Sequence, residues 1–191
     1  MPNTKGQKFP AEPLTPAEAK SLLAACGPSS IGLRNRALLV LLWRAGLRIA
    51  EALSVHPRDL DDGVLRVRRG KGSKARTVAL DPEALAVVQA WLERKARLGI
   101  AGPIISTLRG ESVLASYVRN LLPRLAAKAG IAKRVHAHGL RHSFAAGMAD
   151  EQIDIRVIQR ALGHSSLATT QRYVDHLRPT AVIDALKGRV W

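Results

Sequence analysis

One stretch of the sequence alternates with the period of a β-strand, and it restricts the fold to a mainly helical one with a small sheet. Residues 64–69 (VLRVRR) and 75–80 (ARTVAL) alternate or carry β-branched residues, and the basic turn GKGSK joins them. Two short segments of this kind around a glycine-containing turn predict a β-hairpin. Elsewhere the apolar residues recur at helical spacing. The predicted fold class is therefore mainly α with a small antiparallel β-sheet (α+β).

Capping signals and apolar spacing predict the helices. Residues 15–18 (TPAE) are typical of a capping box with proline at the first helical position, and they start a helix that closes at Gly27. A second helix runs to Gly46, a short third lies in RIAEAL, and a long one follows Asp81. The remaining predicted helices are SVLASYVRNLLPRLAAKAG, with Pro123 as a candidate kink, LRHSFAAGMAD, IRVIQRALGH, LATTQRYV and TAVIDALKG.

The charge of the chain points to a polyanionic partner. Lys and Arg number 30 against 15 Asp and Glu, which gives a net charge of +15. Nucleic acid is the default partner for such a surplus because each neutralised phosphate releases counterions. A membrane surface is the rival, but the arginines are spread along the chain and do not lie on one amphipathic helix. The longest apolar run, residues 37–43, is far too short to span a membrane.

The single cysteine, Cys26, excludes an internal disulfide and a cysteine-rich zinc site, and it fits a reducing cytosol. No apolar N-terminal segment suggests secretion. The expectation is a soluble intracellular protein that binds DNA or RNA.

Two basic residues near predicted turns have both an ordinary and a functional interpretation. Arg48, in GLRIAEAL, can form a surface ion pair with Glu51, three residues further on. Lys71, in the GKGSK turn, can be a solvated charge at a hairpin tip. Neither position identifies a function by itself.

The segment HGLRH is more specific. His138 and Arg141 project from the same side of a starting helix because they are three residues apart, and His142 follows directly. A histidine pair also raises the question of a metal site, but no Asp, Glu or Cys lies nearby in sequence to complete one. We therefore expect no bound metal.

Residues 158–174 contain His164 and, nine residues later, Tyr173, which is one of only two tyrosines. The pattern is helix, turn, helix, so this segment also fits a DNA-reading helix-turn-helix unit with LATTQRY in the major groove. In that case Tyr173 is a packing residue. From this segment alone both interpretations stay open.

The order of these motifs resembles that of the tyrosine recombinases. Phage integrases and Xer-type recombinases carry the same motifs in the same order: GLRxxE, GKG between two strands, HxLRH, LGH, and a tyrosine nine residues after the histidine of LGH. The resemblance runs from about Leu14 to His176. It implies the tyrosine recombinase catalytic-domain fold and a site-specific DNA recombinase, the integrase of a phage or mobile element.

The resemblance also implies a role for each matching residue. Arg48 and Arg141 match the two arginines that clamp the scissile phosphate and stabilise the transition state. His138 would contact the phosphate and assist proton transfer, and His164 would donate to the same phosphate. Lys71 matches the general acid that protonates the departing 5′-oxygen.

Tyr173 matches the nucleophile, which would form a 3′-phosphotyrosine and release a 5′-hydroxyl. The phosphotyrosine stores the bond energy, so no ATP is needed, and the family requires no divalent metal; no cofactor is expected. Glu51 and His142 are expected to support the site without reacting. The departures from residues frequent in the family remove no reacting group: Ala50, Ala146 and Ala168.

The expected domain organisation is a flexible basic arm (1–12), the tyrosine recombinase catalytic domain (13–176) and a C-terminal helical tail (177–191). Recombinases of this family usually carry an N-terminal core-binding domain, and the resemblance, which begins at about Leu14, leads us to expect none among these residues. The chain is expected to be either a naturally minimal integrase, which its initial methionine favours, or part of a longer one. Its binding to a single half-site is then expected to be weak and sensitive to salt.

The expected partner is double-stranded DNA with attachment-type sites. The tail, with Val182, Ile183 and Leu186, packs on its own domain or, as is common in the family, docks on a neighbouring protomer of a homo-tetramer on synapsed DNA. A directionality factor or host DNA-bending protein are further candidates. The expected location is the cytoplasm at the nucleoid, or the host cytoplasm for a phage protein, with no membrane partner. The alternatives are a helix-turn-helix-type regulator without catalysis, a type IB topoisomerase-like relaxase and a binding protein with an inactive site.

Overall fold

The computed structural model describes residues 12–68 and 75–164. Within these ranges the chain forms seven α-helices, one 3₁₀ turn and one small sheet. The predicted class, mainly α with a small antiparallel sheet, is confirmed. The helices are α1 (Pro16–Ala25), α2 (Ser30–Trp43), α3 (Ile49–Ser54), α4 (Pro82–Arg97), α5 (Ala115–Lys128), α6 (Ala137–Asp150) and α7 (Ile155–Leu162).

The sheet of the described residues has the strand order β1-β2-β3 and is antiparallel throughout. Its strands are β1 (Leu60–Asp61), β2 (Val64–Val67) and β3 (Arg76–Ala79). The predicted hairpin corresponds to β2 and β3, in which Leu65 lies opposite Val78. The sequence did not predict β1, because two residues are too few to show a period. The turn at 69–74, with Lys71, lies outside the described residues.

Helix α2 lies at the centre of the core because its second half, from residue 37 to 43, is apolar on every side. Each residue from 37 to 42 is at most 1% exposed. Helices α4 and α6 pack against α2 and provide most of its cover. In α4, Trp91 is fully buried and its Nε1 donates to the carbonyl of Ile104 at 2.7 Å. No helix in the described part of the chain is long and apolar enough to cross a membrane.

Two of the predicted helix starts, those after Thr15 and Asp81, are confirmed in detail. Thr15 Oγ1 accepts a hydrogen bond from the Glu18 N–H at 3.2 Å, and Glu18 Oε2 accepts one from the Thr15 N–H at 2.7 Å. These are the two reciprocal bonds of a capping box. Helix α4 likewise starts after Asp81, whose Oδ1 accepts from the Ala84 N–H at 3.0 Å.

The predicted helix ends are less accurate. Helix α2 ends at Trp43, before Gly46, which has a left-handed backbone (φ 60°) and turns the chain towards α3. Pro123 lies inside α5, which continues beyond it to Lys128. The helices predicted in LATTQRYV and TAVIDALKG lie outside the described residues.

We predict that Gly46→Ala destabilises the fold. The added Cβ would face strain at this positive φ and would collide with the ring of Phe144 in α6. The free energy of unfolding should fall by about 2 kcal/mol or more, as measured by urea denaturation. The matched control is Gly147→Ala in α6, where a Cβ meets nothing within 4 Å; it should keep or raise stability, by up to about 1 kcal/mol. Equal stability of the two variants would contradict this account.

Candidate active site

Several of the predicted residues meet around one buried carboxylate, Glu51 in α3. Its side chain is 9% exposed. Arg48, at the start of the same helix, donates its backbone N–H to Oε2 at 2.8 Å and its Nη1 to Oε1 at 3.0 Å. Arg76 of β3 donates Nη1 to Oε1 and Nη2 to Oε2, both at 2.8 Å. Arg141 of α6 adds an ion pair, with Nη1 3.9 Å from Oε2.

The ionisation of Glu51 follows from these contacts. Burial opposes its negative charge, but hydrogen bonds from Arg76 and from the backbone and side chain of Arg48 outweigh burial and lower the pKa to about 2. The carboxylate therefore stays ionised at neutral pH. Arg48 and Glu51 do form the ion pair that the sequence allows, but it is not a surface pair. The side chain of Arg48 is 41% exposed, whereas that of Glu51 is buried.

The C-terminal end of α7 is a second anchor for the same three arginines. Arg76 Nε donates to the carbonyl of Ala161 at 2.7 Å, and Arg141 Nη2 donates to that of Leu162. Arg48 Nη2 lies 3.5 Å from the carbonyl of Gly163. The last carbonyls of a helix lack partners within it and carry the negative end of its dipole, so cations there are favoured.

Arg141 is the most deeply placed of the predicted catalytic residues. Its side chain is 2% exposed. Besides Leu162, it donates through Nη1 to the carbonyl of Gly46, at the turn between α2 and α3. One guanidinium therefore joins the α2–α3 turn and the end of α7 to the α6 helix that carries it.

The two histidines of HGLRH differ in exposure. His138, in the first turn of α6, is exposed, whereas His142 is 5% exposed. Their rings meet edge to face with centroids 4.5 Å apart. Partial burial and the charges of Arg141, His136 and Arg48 lower the pKa of His138, which favours its neutral form at pH 7.

His164 follows directly on α7. Gly163, with φ 63°, ends that helix in the left-handed conformation and turns the chain towards His164. Burial, followed by the charges of Arg141, Arg48, Arg76 and His138, lowers the pKa of His164 to about 4. Its imidazole is therefore neutral at pH 7 and can donate one hydrogen bond.

The structure thus brings Arg48, Glu51, His138, Arg141 and His164 into one site. His142 lies beside it, in contact with His138. Lys71 and Tyr173 lie outside the described residues, so their predicted roles stay predictions. Among the residues described, no group of three or more His, Cys, Asp or Glu could hold a metal ion.

One site residue, Arg76, was not predicted from the sequence. A single arginine in a basic hairpin matches no motif. The alternation of inward and outward residues along the strand could nevertheless have indicated that Arg76 points inwards. Arg76 shares a strand face with Val78, which is buried. An arginine on the inward face of a strand needs a buried partner, and that partner is Glu51.

Comparison with known proteins identifies the family. The sequence profile of the phage integrase family matches residues 12–178. The chain belongs to this family. Among curated relatives of this integrase-family chain, the tyrosine recombinase XerC of Rhodospirillum centenum is 40% identical over 177 residues, covering 90% of this chain and 52% of the relative. XerC of Xanthomonas campestris pv. campestris is 37% identical over 175 residues, covering 90% and 54%. The chain spans about half the length of these relatives.

Solved structures agree with the fold. The XerA recombinase matches with a TM-score of 0.81 and 30% identity, covering 99% of this integrase-family chain and 69% of that structure. XerH bound to its difH substrate in a post-cleavage complex matches with a TM-score of 0.77 and 26% identity, covering 98% and 55%. The catalytic domain of bacteriophage HP1 integrase, 22% identical with a TM-score of 0.61 over 94% and 96%, supports the fold alone. The alternatives considered from the sequence gain no support from these matches.

We predict that the free energy of unfolding of this protein falls in two adjoining pH ranges as the solution is acidified. His164 has a folded-state pKa of about 4 against its usual 6.5, so the unfolded chain binds the proton first and stability falls from pH 6.5 to 4. Glu51, with a folded pKa of about 2 against 4.5, adds a loss below pH 4.5. Urea midpoints across this range measure both effects. His164→Gln should make the loss in the upper range less steep without abolishing it, because His138 also has a lowered pKa. An unchanged slope would contradict the assignment.

Proposed function

We propose that this chain is a site-specific DNA recombinase that cuts and rejoins DNA through a 3′-phosphotyrosine. One observation carries the proposal. Two arginines and two histidines, on three separate segments of the chain, converge at a site that also holds the buried Glu51. This arrangement fits a site that binds a phosphodiester. Attack on a phosphodiester builds up negative charge on the phosphate oxygens, and fixed hydrogen-bond donors around the phosphate stabilise that charge.

In this proposal the arginines stabilise the charge that builds up on the non-bridging oxygens. Arg48 is the accessible guanidinium, since its side chain is 41% exposed. Arg141 lies beneath it and contributes its charge and donors from the floor of the site. The pairing of both with Glu51 prevents either from turning away from the site.

The two histidines serve as neutral groups. His138, exposed and with a lowered pKa, is able to accept the proton of the attacking hydroxyl. His164, neutral at pH 7, donates a hydrogen bond to the phosphate. A neutral donor does not compete with the phosphate for the arginines, whereas a carboxylate would.

The bond changes are assigned to the two predicted residues outside the described ranges. Tyr173 Oη attacks the phosphorus, its proton passes to a base, and the bond from phosphorus to the 5′-oxygen breaks. Lys71 gives a proton to that oxygen. In the reverse step a 5′-hydroxyl gives its proton to Lys71 and attacks the phosphorus, and the bond from phosphorus to Tyr173 Oη breaks as that oxygen regains a proton. The number of phosphodiester bonds is therefore conserved and no energy source is consumed.

The proposed partner is double-stranded DNA with sites of the attachment type. XerH has been solved bound to its difH substrate before and after cleavage. The net charge of +15 supports a DNA partner for the present chain. We further propose action in the cytoplasm on nucleoid or phage DNA, with a directionality or DNA-bending factor as an accessory. The predicted divisions at residues 12 and 176 belong to the same proposal.

A groove of about 950 Å³ between α2, β3, α6 and α7 supports docking of a tail. Its lining includes Val40, Phe144, Met148 and Val157. The segment 177–191 contains apolar residues at helical spacing that match such a lining. We propose that this groove receives the tail of a neighbouring copy in a homo-tetramer on synapsed sites.

The first experiment asks for a covalent adduct. The protein is incubated with nicked suicide duplexes tiled from the DNA around its own gene and then run on denaturing gels. The unaltered chain should give a DNA-linked band that Tyr173→Phe lacks, because only a phenolic oxygen can form the bond.

The matched control is the other tyrosine. The hydroxyl of Tyr117 in α5 accepts a hydrogen bond from Arg34 Nη2 at 2.7 Å, and the resemblance gives this tyrosine no part in the reaction, so Tyr117→Phe should keep the adduct. Loss of the band in both variants, or its persistence in Tyr173→Phe, would contradict the assignment. Relaxation of supercoiled plasmid of any sequence would instead favour a relaxase.

A second experiment tests Lys71 as the general acid. Lys71→Ala should cleave an ordinary duplex on the order of 10²-fold more slowly. On a duplex with sulfur at the bridging 5′ position its rate should recover, because a thiolate leaves without a proton. Lys74→Ala, in the same turn, is the matched control and should cleave both duplexes normally. Arg141→Ala should not recover with sulfur; equal recovery of both variants would refute the assignment.

A further inference from the structure

Arg76 is a buried arginine that contacts two parts of the candidate active site, Glu51 and the end of α7. Its side chain is 7% exposed, and all three nitrogen positions of its guanidinium donate. Nη1 and Nη2 hold both oxygens of Glu51, and Nε holds the carbonyl of Ala161. The arginine therefore fixes β3 to α3 and to the end of α7 at the same time.

Arg76 also packs against the turn that precedes His164. A Cβ on Gly163 would come within 3.0 Å of Arg76 Cδ and 3.1 Å of its Nη1. The same turn carries the Gly163 carbonyl that faces Arg48. The place of this turn, and so of His164, is set in part by the arginine beneath it.

The sharing of Glu51 has a consequence for Arg48. Each oxygen of Glu51 accepts one hydrogen bond from Arg76 and one from Arg48, which uses most of the acceptor capacity of a carboxylate. Without Arg76, the vacated positions would draw the Arg48 and Arg141 guanidinium groups inwards. An arginine drawn towards Glu51 is less available to a phosphate.

We propose that Arg76 is a positioning residue for the cleavage step, which holds Glu51 and the 161–164 turn so that Arg48 and His164 face one phosphate. It acts without touching DNA. The proposal rests on the recombinase function proposed above. The competing interpretation is that Arg76 supports only the stability of the fold.

The first test needs no DNA. In ¹H–¹³C spectra of the whole chain, the imidazole signal of His164 is assigned with His164→Gln and titrated with acid. Arg76→Lys keeps the charge but cannot make the two parallel bonds of a guanidinium. The proposal predicts a shifted His164 signal in Arg76→Lys, and in Arg76→Ala also a pKa that rises towards 6.5, since one of the cations that lower it is gone.

The second test measures single-turnover cleavage of the suicide duplex that forms the adduct with the unaltered chain. Arg76→Ala should cleave about 10²-fold more slowly, the loss expected for misplaced catalytic groups, with DNA affinity within about threefold because Arg76 is buried. Arg76→Lys should recover only a small part of the rate. The matched control, Arg97→Ala on α4, loses an arginine that is 74% exposed and should retain both the rate and the His164 signal.

The outcomes separate the two proposals. A purely structural role predicts a lower melting temperature with a normal cleavage rate below it and an unmoved His164 signal in Arg76→Lys; that result overturns the inference. If Arg76→Ala does not fold, Arg76→Lys decides alone. If the unaltered chain forms no adduct on any duplex, the recombinase function fails, and the titration still decides whether Arg76 positions His164.

Discussion

A single buried carboxylate allows three guanidinium groups to stand close together in this protein. Like charges repel, and the repulsion is strongest where water is excluded. Glu51 reduces it by accepting from Arg48 and Arg76 and facing Arg141, and it stays ionised because these partners lower its pKa to about 2. Removing Glu51 would leave the buried charges of Arg76 and Arg141 without their carboxylate, and breaking a buried pair in this way typically costs about 3–5 kcal/mol. The site and the fold thus depend on the same ion pairs.

The charge that Glu51 does not neutralise acts on the histidines. With no anion bound, burial and then the charges of the nearby arginines lower the pKa of His164 to about 4. An incoming phosphate adds negative charge, and negative charge raises the pKa of a nearby imidazole. In the proposed function, the pKa of the His164 imidazole would therefore be higher with DNA bound than without it. The same argument applies to His138, whose pKa is lowered by burial and by the neighbouring cations.

The sequence predicts the parts of this structure that depend on local chemistry. The capping box at Thr15, the start of α4 after Asp81 and the β2–β3 hairpin all follow from residues close in the chain. The end of α2 does not, because the turn at Gly46 depends on packing against Phe144 in α6. Arg76 was missed for a similar reason: its partner Glu51 lies 25 residues away. The motif order predicts which residues belong to the site, but the shared carboxylate becomes evident only in three dimensions.

The contacts at the C-terminal end of α7 explain why Arg141 belongs to the candidate active site and also stabilises the fold. Successive carbonyls of Ala161, Leu162 and Gly163 face Arg76, Arg141 and Arg48 in turn. A helix that ends inside a protein needs donors for its last carbonyls, and here the donors are the cations of the site. Replacing Arg141 removes a charge and also leaves the carbonyls of Leu162 and Gly46 without that donor. Arg48 is more exposed, and its backbone N–H would still bind Glu51 after the side chain is replaced. Replacing Arg48 therefore removes a charge with less damage to the fold than replacing Arg141.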